Sequence, residues 1–313
     1  RPEYAAGHFL AIPLVDLVHR QDRQDLVAGV PERHRPVQLH RRVVVHRERD
    51  RDREQAPVGQ AHLGEHAIVV GPDGLVTIAM ATGAATMNEV RYLSAEDPTG
   101  VWKLLAPRRE GHEYSADFDN GEFYIITNKD AENSKVVRAP ASDPSEKNWK
   151  DYIPHNPAIK IEGISFFKDY AAVSELENGL EYVRILDRKT RRAPVRIETP
   201  ESVYTMGLGA NPEYDTPIIR YNYASMITPS STYEYDLYTR KSTLIKQQEI
   251  PSGYDKSQYE TKREWATARD GVKVPVSIVW KKGTKLDGSA PMLLYAYGSY
   301  GASMTPNFST ARL

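Results

Sequence analysis

Residues 120–139 read NGEFYIITNKDAENSKVVRA. Two short runs of aromatic and β-branched residues, Phe123-Tyr124-Ile125-Ile126 and Lys135-Val136-Val137-Arg138-Ala139, flank a polar stretch. The Asn120-Gly121 pair ahead of the first supplies the left-handed dihedrals of a tight hairpin turn. Both runs recur. The Val-Arg pair of the second also stands in Asn88–Leu93 and in Glu181–Leu186, 47 residues before and 46 after. The first run has counterparts in Tyr170–Val173, after FFKD, and Ile218–Tyr221, after EYDT, at steps of 47 and 48. Each Val-Arg run leads into turn text: SAEDPTG, PASDPSE and DRKTRR. A period in the forties built of short strands and Asn-Gly or Asp-rich turns is the pattern of a β-propeller blade. Each such sheet buries its faces by stacking on its neighbours. Evenly spaced strands of a β-sandwich are the alternative. The repeat runs over residues 85–250, enough for three to four blades. A closed ring typically needs 4–8, so either the first 84 residues supply blades whose pattern is not legible, or the ring is incomplete, with exposed terminal blades prone to aggregate.

Upstream the text changes. The first lysine is Lys103, while seven of nine histidines precede residue 70. Residues 33–54, RHRPVQLHRRVVVHRERDRDRE, hold too little apolar surface to offset the entropy of ordering. The VVV within them is too short to anchor an element. Residues 1–84 therefore read either as a disordered arm or as a misread frame or foreign junction. His62-Leu63-Gly64-Glu65-His66 fits the H-x-x-E-H spacing of a zinc peptidase. That chemistry needs a helix to bring both imidazoles to one face, and the internal glycine opposes one. Neither metal nor other cofactor is expected.

With 41 basic and 42 acidic residues, net charge is −1, and no global field draws the chain to nucleic acid or to a membrane. The chain has no cysteine, which excludes disulfides and thiolate metal sites. No apolar run nears the roughly 20 residues of a membrane span, and the start lacks a signal-peptide pattern. A cytoplasmic location is the default.

The last third, residues 251–313, differs again. Pro251–Asp255 reads as a linker. Tyr259–Ala268 and Val272–Trp280 read as strands joined by Arg269-Asp270-Gly271, with Val272, Val274, Val276 and Ile278 on a half-buried face. Met292-Leu293-Leu294-Tyr295 is an unbroken apolar run, the habit of a strand covered on both faces in an α/β sheet.

The stretches KQQEIPSGYDKSQYETKREWATARDGVKVPVSIVWKKG and KLDGSAPMLLYAYGSYGASMTPNFSTARL resemble the prolyl oligopeptidase family of serine peptidases. SMITPSSTYEYDL looks most like its oligopeptidase B branch. The resemblance covers about residues 85–313. It implies a seven-bladed propeller of which this chain holds part, followed by the first strands of an α/β-hydrolase domain. It also implies hydrolysis of short peptides after Lys or Arg, with the propeller gating access; a prolyl preference and a non-catalytic propeller scaffold are the alternatives. Ser299 is no nucleophile. The elbow G-x-S-x-G needs glycine where Tyr297 stands, and no histidine follows His155 to act as base. What the resemblance implies is an oxyanion arm, in which Tyr297 donates its hydroxyl to the tetrahedral intermediate and Tyr300 lines the pocket for the residue before the scissile bond. Ala296 replaces the motif's glycine. The chain reaches Leu313 before the family's catalytic serine, aspartate and histidine, so a fragment inactive by itself is expected.

Overall fold

The computed structural model describes the strand backbones at 43–46, 66–70 and 75–81, together with residues 87–94, 97, 100–297 and 303–313. Nineteen strands in five antiparallel sheets account for nearly all regular structure among them. The first sheet holds β1 (Val43–His46), β2 (His66–Val70), β3 (Leu75–Ala81), β4 (Asn88–Ser94) and β5 (Lys103–Leu104) in that order. Three four-stranded sheets follow. The second comprises β6 (Tyr114–Asp119), β7 (Glu122–Thr127), β8 (Lys135–Pro140) and β9 (Lys150–Ile153). The third comprises β10 (Ile159–Phe166), β11 (Tyr170–Glu177), β12 (Leu180–Asp187) and β13 (Val195–Arg196). The fourth comprises β14 (Thr205–Leu208), β15 (Ile218–Ala224), β16 (Ser231–Asp236) and β17 (Lys241–Gln247). A two-stranded hairpin, β18 (Tyr259–Thr267) and β19 (Lys273–Lys281), comes last.

Successive sheets stack face to face, as a propeller requires. Val90 of the first sheet packs with Phe123, Ile125 and Val137 of the second. From the second sheet's other face, Tyr124 and Val136 meet Ile161, Phe166, Ala171 and Val173 of the third. Val183 and Ile185 of the third then meet Ile219, Tyr221 and Tyr223 of the fourth. β7 and β11 are therefore buried on both faces, which is why each reads as a continuous apolar run. In β15 the alternation is clean: Ile219, Tyr221 and Tyr223 are buried, Arg220 and Asn222 exposed. Period-two burial marks a sheet with one covered face; on the other face Arg220 and Asn222 are open to solvent, while Ala224 at the strand's end is buried.

The hairpin turns follow their residues. Asn120-Gly121 and Asn178-Gly179 both have positive φ (50° and 77°, 52° and 71°), the dihedrals of the turn whose twist matches a hairpin. A buried ion pair joins second and third sheets: Arg188, just past β12, donates to the fully buried Asp119 and to the Phe167 carbonyl at 2.9 Å.

Three expectations change. The VVV at 43–45 does anchor an element: it lies in β1, paired in register with β2 from Val43↔Val69 to His46↔His66. A four-residue strand suffices when its neighbour belongs to a larger sheet. Met292–Tyr295 is not a strand. A strand needs a ladder partner for its backbone groups, and no described segment pairs with it; Met292, Leu293 and Leu294 stand 80, 75 and 74% exposed. The predicted hairpin forms, but Val272 falls in its turn and Val274 is exposed, so the half-buried face begins only at Pro275.

Candidate functional site

Within each sheet, successive turns alternate between two ends. The turns after β11 and β15 lie at one end with the connection from β13 to β14, and the segment leaving β17 docks there. The Tyr254 hydroxyl donates to the Ile227 carbonyl at 2.7 Å. Arg263 of β18 donates to the Asn178 carbonyl at 2.6 Å and to Ser277 Oγ at 2.8 Å. Gly179 permits this approach, since a Cβ there would lie 2.8 Å from Arg263 Nη2. Asp255 caps the 3₁₀ turn at Lys256–Gln258 by accepting from the Ser257 amide at 2.9 Å.

At the centre of this docking surface is Glu201, whose side chain is only 10% exposed. Its Oε1 accepts from Thr228 Oγ1 at 2.6 Å and from Lys256 Nζ, and its Oε2 accepts from the Tyr223 hydroxyl at 3.2 Å. Lys256 Nζ also donates to Thr228 Oγ1 at 2.7 Å. Ser225 Oγ accepts the amides of Ile227 and Thr228, which fixes the loop that presents Thr228. Burial alone would raise the Glu201 carboxyl. Hydrogen bonds from Lys256, Ser225 and Thr228 outweigh it and hold the group below the usual carboxylate range. Burial pushes the Tyr254 hydroxyl up to about 12. No repeat or motif announces Glu201; its partners lie 22 to 55 residues away in sequence.

The C-terminal segment reaches the same place. Phe308 meets the Tyr254 ring edge-on at 5.1 Å between centroids. Beside them a cavity of about 520 Å³ lies between the fourth sheet and this segment, with Thr205, Asn222, Ser230, Lys246, Gln248 and Asn307 in its lining. Tyr297 precedes that segment in sequence and is 54% exposed. The neighbouring Tyr295 carries the Arg312 guanidinium over its ring at 4.3 Å. Ser299 and Tyr300 lie outside the described residues. His62 and Glu65 also lie outside them, and His66 opens β2. Among the described residues no group of three His, Asp or Glu could hold a metal, and no helix is long and apolar enough to cross a membrane.

Stacked four-stranded antiparallel sheets with a hairpin docked at one end define a propeller-bearing protein. Residues 39–248 match the family described as prolyl oligopeptidase, N-terminal beta-propeller domain. The chain belongs to the prolyl oligopeptidase family, a family of serine peptidases. It is 45% identical over 234 residues to dipeptidyl aminopeptidase BI of Pseudoxanthomonas mexicana, covering 74% of this chain and 32% of that protein. It is 29% identical to protease 2 of Moraxella lacunata, covering 74 and 33%. The solved structure of oligopeptidase B from Leishmania major superposes with a TM-score of 0.70 at 26% identity, over 78% of this chain and 35% of that one. The chain thus spans about a third of the length of these relatives.

Proposed function

We propose that these residues supply the propeller and the oxyanion arm of a serine peptidase that hydrolyses peptide bonds in short peptides. In this reading residues 251–313 begin the peptidase domain. A serine attacks the peptide carbonyl, a histidine carries the proton, and the Tyr297 hydroxyl donates to the oxygen that gains negative charge. A donor aimed at that oxygen acts on the transition state more than on the ground state. Tyr300 lines the pocket for the residue before the scissile bond, and the propeller limits access to short chains. The serine and its histidine base are not among these 313 residues, where no histidine follows His155. The chain by itself should not cleave peptides. Cytoplasmic residence belongs to the same proposal.

The observation that carries the reading is the placement of Tyr297. Tyr297 is half exposed and not packed in a core, and two residues before it Tyr295 carries the Arg312 guanidinium over its ring. The cavity between the fourth sheet and Asn307 is of the size that takes a small ligand. Cleavage after Lys or Arg is the finer reading, supported by the likeness to oligopeptidase B. A prolyl preference is the second, supported by 29% identity to a protein named prolyl endopeptidase from Elizabethkingia meningoseptica.

The test is Tyr297→Phe in the protein expressed from its complete gene. Removing one oxyanion donor should lower kcat by about 10²–10³ with KM little changed. An unchanged kcat would refute the assignment. Paired peptide substrates with Arg or Pro before the scissile bond separate the two specificities.

A further inference from the structure

The Glu201 cluster ties together parts of the chain that no local pattern connects. Glu201 sits in the connection between β13 and β14, Tyr223 and Thr228 at the end of β15 and in the loop after it, and Lys256 in the linker to the hairpin. The linker has two further anchors, Tyr254 on the Ile227 carbonyl and Arg263 on the Asn178 carbonyl. Neither of these carries an opposite charge to hold it. The Lys256–Glu201 contact does, and a hydrogen bond between charged partners is about twice as strong as a neutral one. It is also unevenly exposed. Glu201 is nearly covered, whereas Lys256 keeps 47% of its side chain in solvent. The carboxylate is thus fixed in the sheet framework by Tyr223 and Thr228, and it is the lysine, with the linker behind it, that is captured.

The captured linker bears on the proposed arm. Tyr254, two residues before Lys256, packs on Tyr259 of β18 and on Phe308. Phe308 belongs to residues 303–313, whose Arg312 guanidinium lies over the ring of Tyr295, two residues before Tyr297. A shift of the linker would therefore move both the hairpin before the arm and the segment after it.

We propose that Glu201 is a positioning residue: by holding Lys256 it sets the linker, and through Tyr254 and Phe308 it places Tyr297 for oxyanion donation. This rests on the role given to Tyr297 above and goes beyond it, since Glu201 touches neither substrate nor arm. A role in folding alone predicts lost stability. A positioning role predicts a loss that depends on the hydroxyl of Tyr297.

A double-substitution cycle in the protein expressed from its complete gene separates the two, with a short chromogenic peptide as substrate. Glu201→Gln keeps one acceptor oxygen for Thr228 and removes the negative charge that faces Lys256, and the Tyr223 hydroxyl can turn to accept from the new amide. It should lower kcat about tenfold with KM nearly unchanged. Glu201→Asp, which keeps the charge, should recover part of that loss. In a Tyr297→Phe background Glu201→Gln should lower kcat by less than about twofold, because the donor it positions is gone. Equal losses in both backgrounds would overturn the inference while leaving Tyr297 in its role. An undiminished kcat for Tyr297→Phe, or no peptidase activity in the unsubstituted protein, would overturn both. Should Glu201→Gln fail to fold, Lys256→Met takes its place in the cycle with the same expected outcomes, since it leaves the carboxylate its two hydroxyl donors.

Discussion

At the scale of single residues, His112 is the clearest case of a group whose environment decides its charge. It is buried between the first and second sheets, stacked on Tyr114 at 4.9 Å. Its Nε2 bonds Thr127 Oγ1 at 2.9 Å, and its buried Nδ1 has no partner. A neutral imidazole tolerates this and an imidazolium does not. Burial lowers its pKa; Glu146 acts against that shift, and Arg109 and Lys129 add to it. The sign follows: the unfolded chain binds the proton more readily, so stability contributed by neutral His112 is lost as pH falls through the ordinary value of 6.5. We expect the melting temperature to drop between about pH 7.5 and about pH 5.5, and His112→Gln to flatten that drop. A variant with the parent's full pH dependence would show that other histidines carry it. Neither His112 nor Glu201 stood out in the sequence. Their importance comes from what surrounds them, and Thr127, Tyr223 and Lys256 are brought there only by the fold. Tyr297 stood out only through the resemblance of its contiguous motif to that of the family.

At the scale of elements, the strands and their turns were largely legible. β7, β8, β11, β12 and β15 coincide with the runs whose spacing reveals the repeat, and β18–β19 forms where an Arg-Asp-Gly turn joins two alternating stretches. Short-range chemistry fixes these: β-branched residues for the strand, glycine for the positive φ of the turn. What a turn touches is another matter. Gly121 and Gly179 occupy equivalent turns with φ of 77° and 71°. Nothing lies within 4 Å of a Cβ built on Gly121, whereas one on Gly179 would meet Arg263 Nη2 at 2.8 Å and Pro275 Cγ at 3.4 Å. Gly121→Ala should therefore cost only the backbone strain of about 1–2 kcal/mol. Gly179→Ala should cost that and also dislodge Arg263 from the Asn178 carbonyl. Amide hydrogen exchange in β18 and β19 distinguishes them: it should quicken for Gly179→Ala and stay unchanged for Gly121→Ala. The strand expected at Met292–Tyr295 shows the limit of this reading. Apolar content raises the propensity for a strand, but the ladder needs a second strand, and none of the described residues provides it.

At the scale of the whole molecule, apolar surface is left uncovered. Met292, Leu293 and Leu294 are each about three-quarters exposed and contiguous, the arrangement that marks an association surface or an aggregation hazard. We expect the 313-residue chain to self-associate with rising concentration in analytical ultracentrifugation, and Leu293→Lys with Leu294→Lys to suppress it. Association unaffected by that pair would point to another surface, such as the fourth sheet's polar face around Arg220 and Asn222. The sequence by itself determined the blade repeat, the two kinds of strand within it, the hairpin and the family. All of these rest on periodicity or on contiguous residues, whose physics acts along the chain. Only the tertiary structure decided that VVV at 43–45 joins a sheet, that the apolar run at 292–295 does not, and that Glu201 holds the linker. Each of those outcomes depends on whether distant segments supply a partner for a backbone group, an apolar face or a buried charge, and desolvation makes that partner decisive.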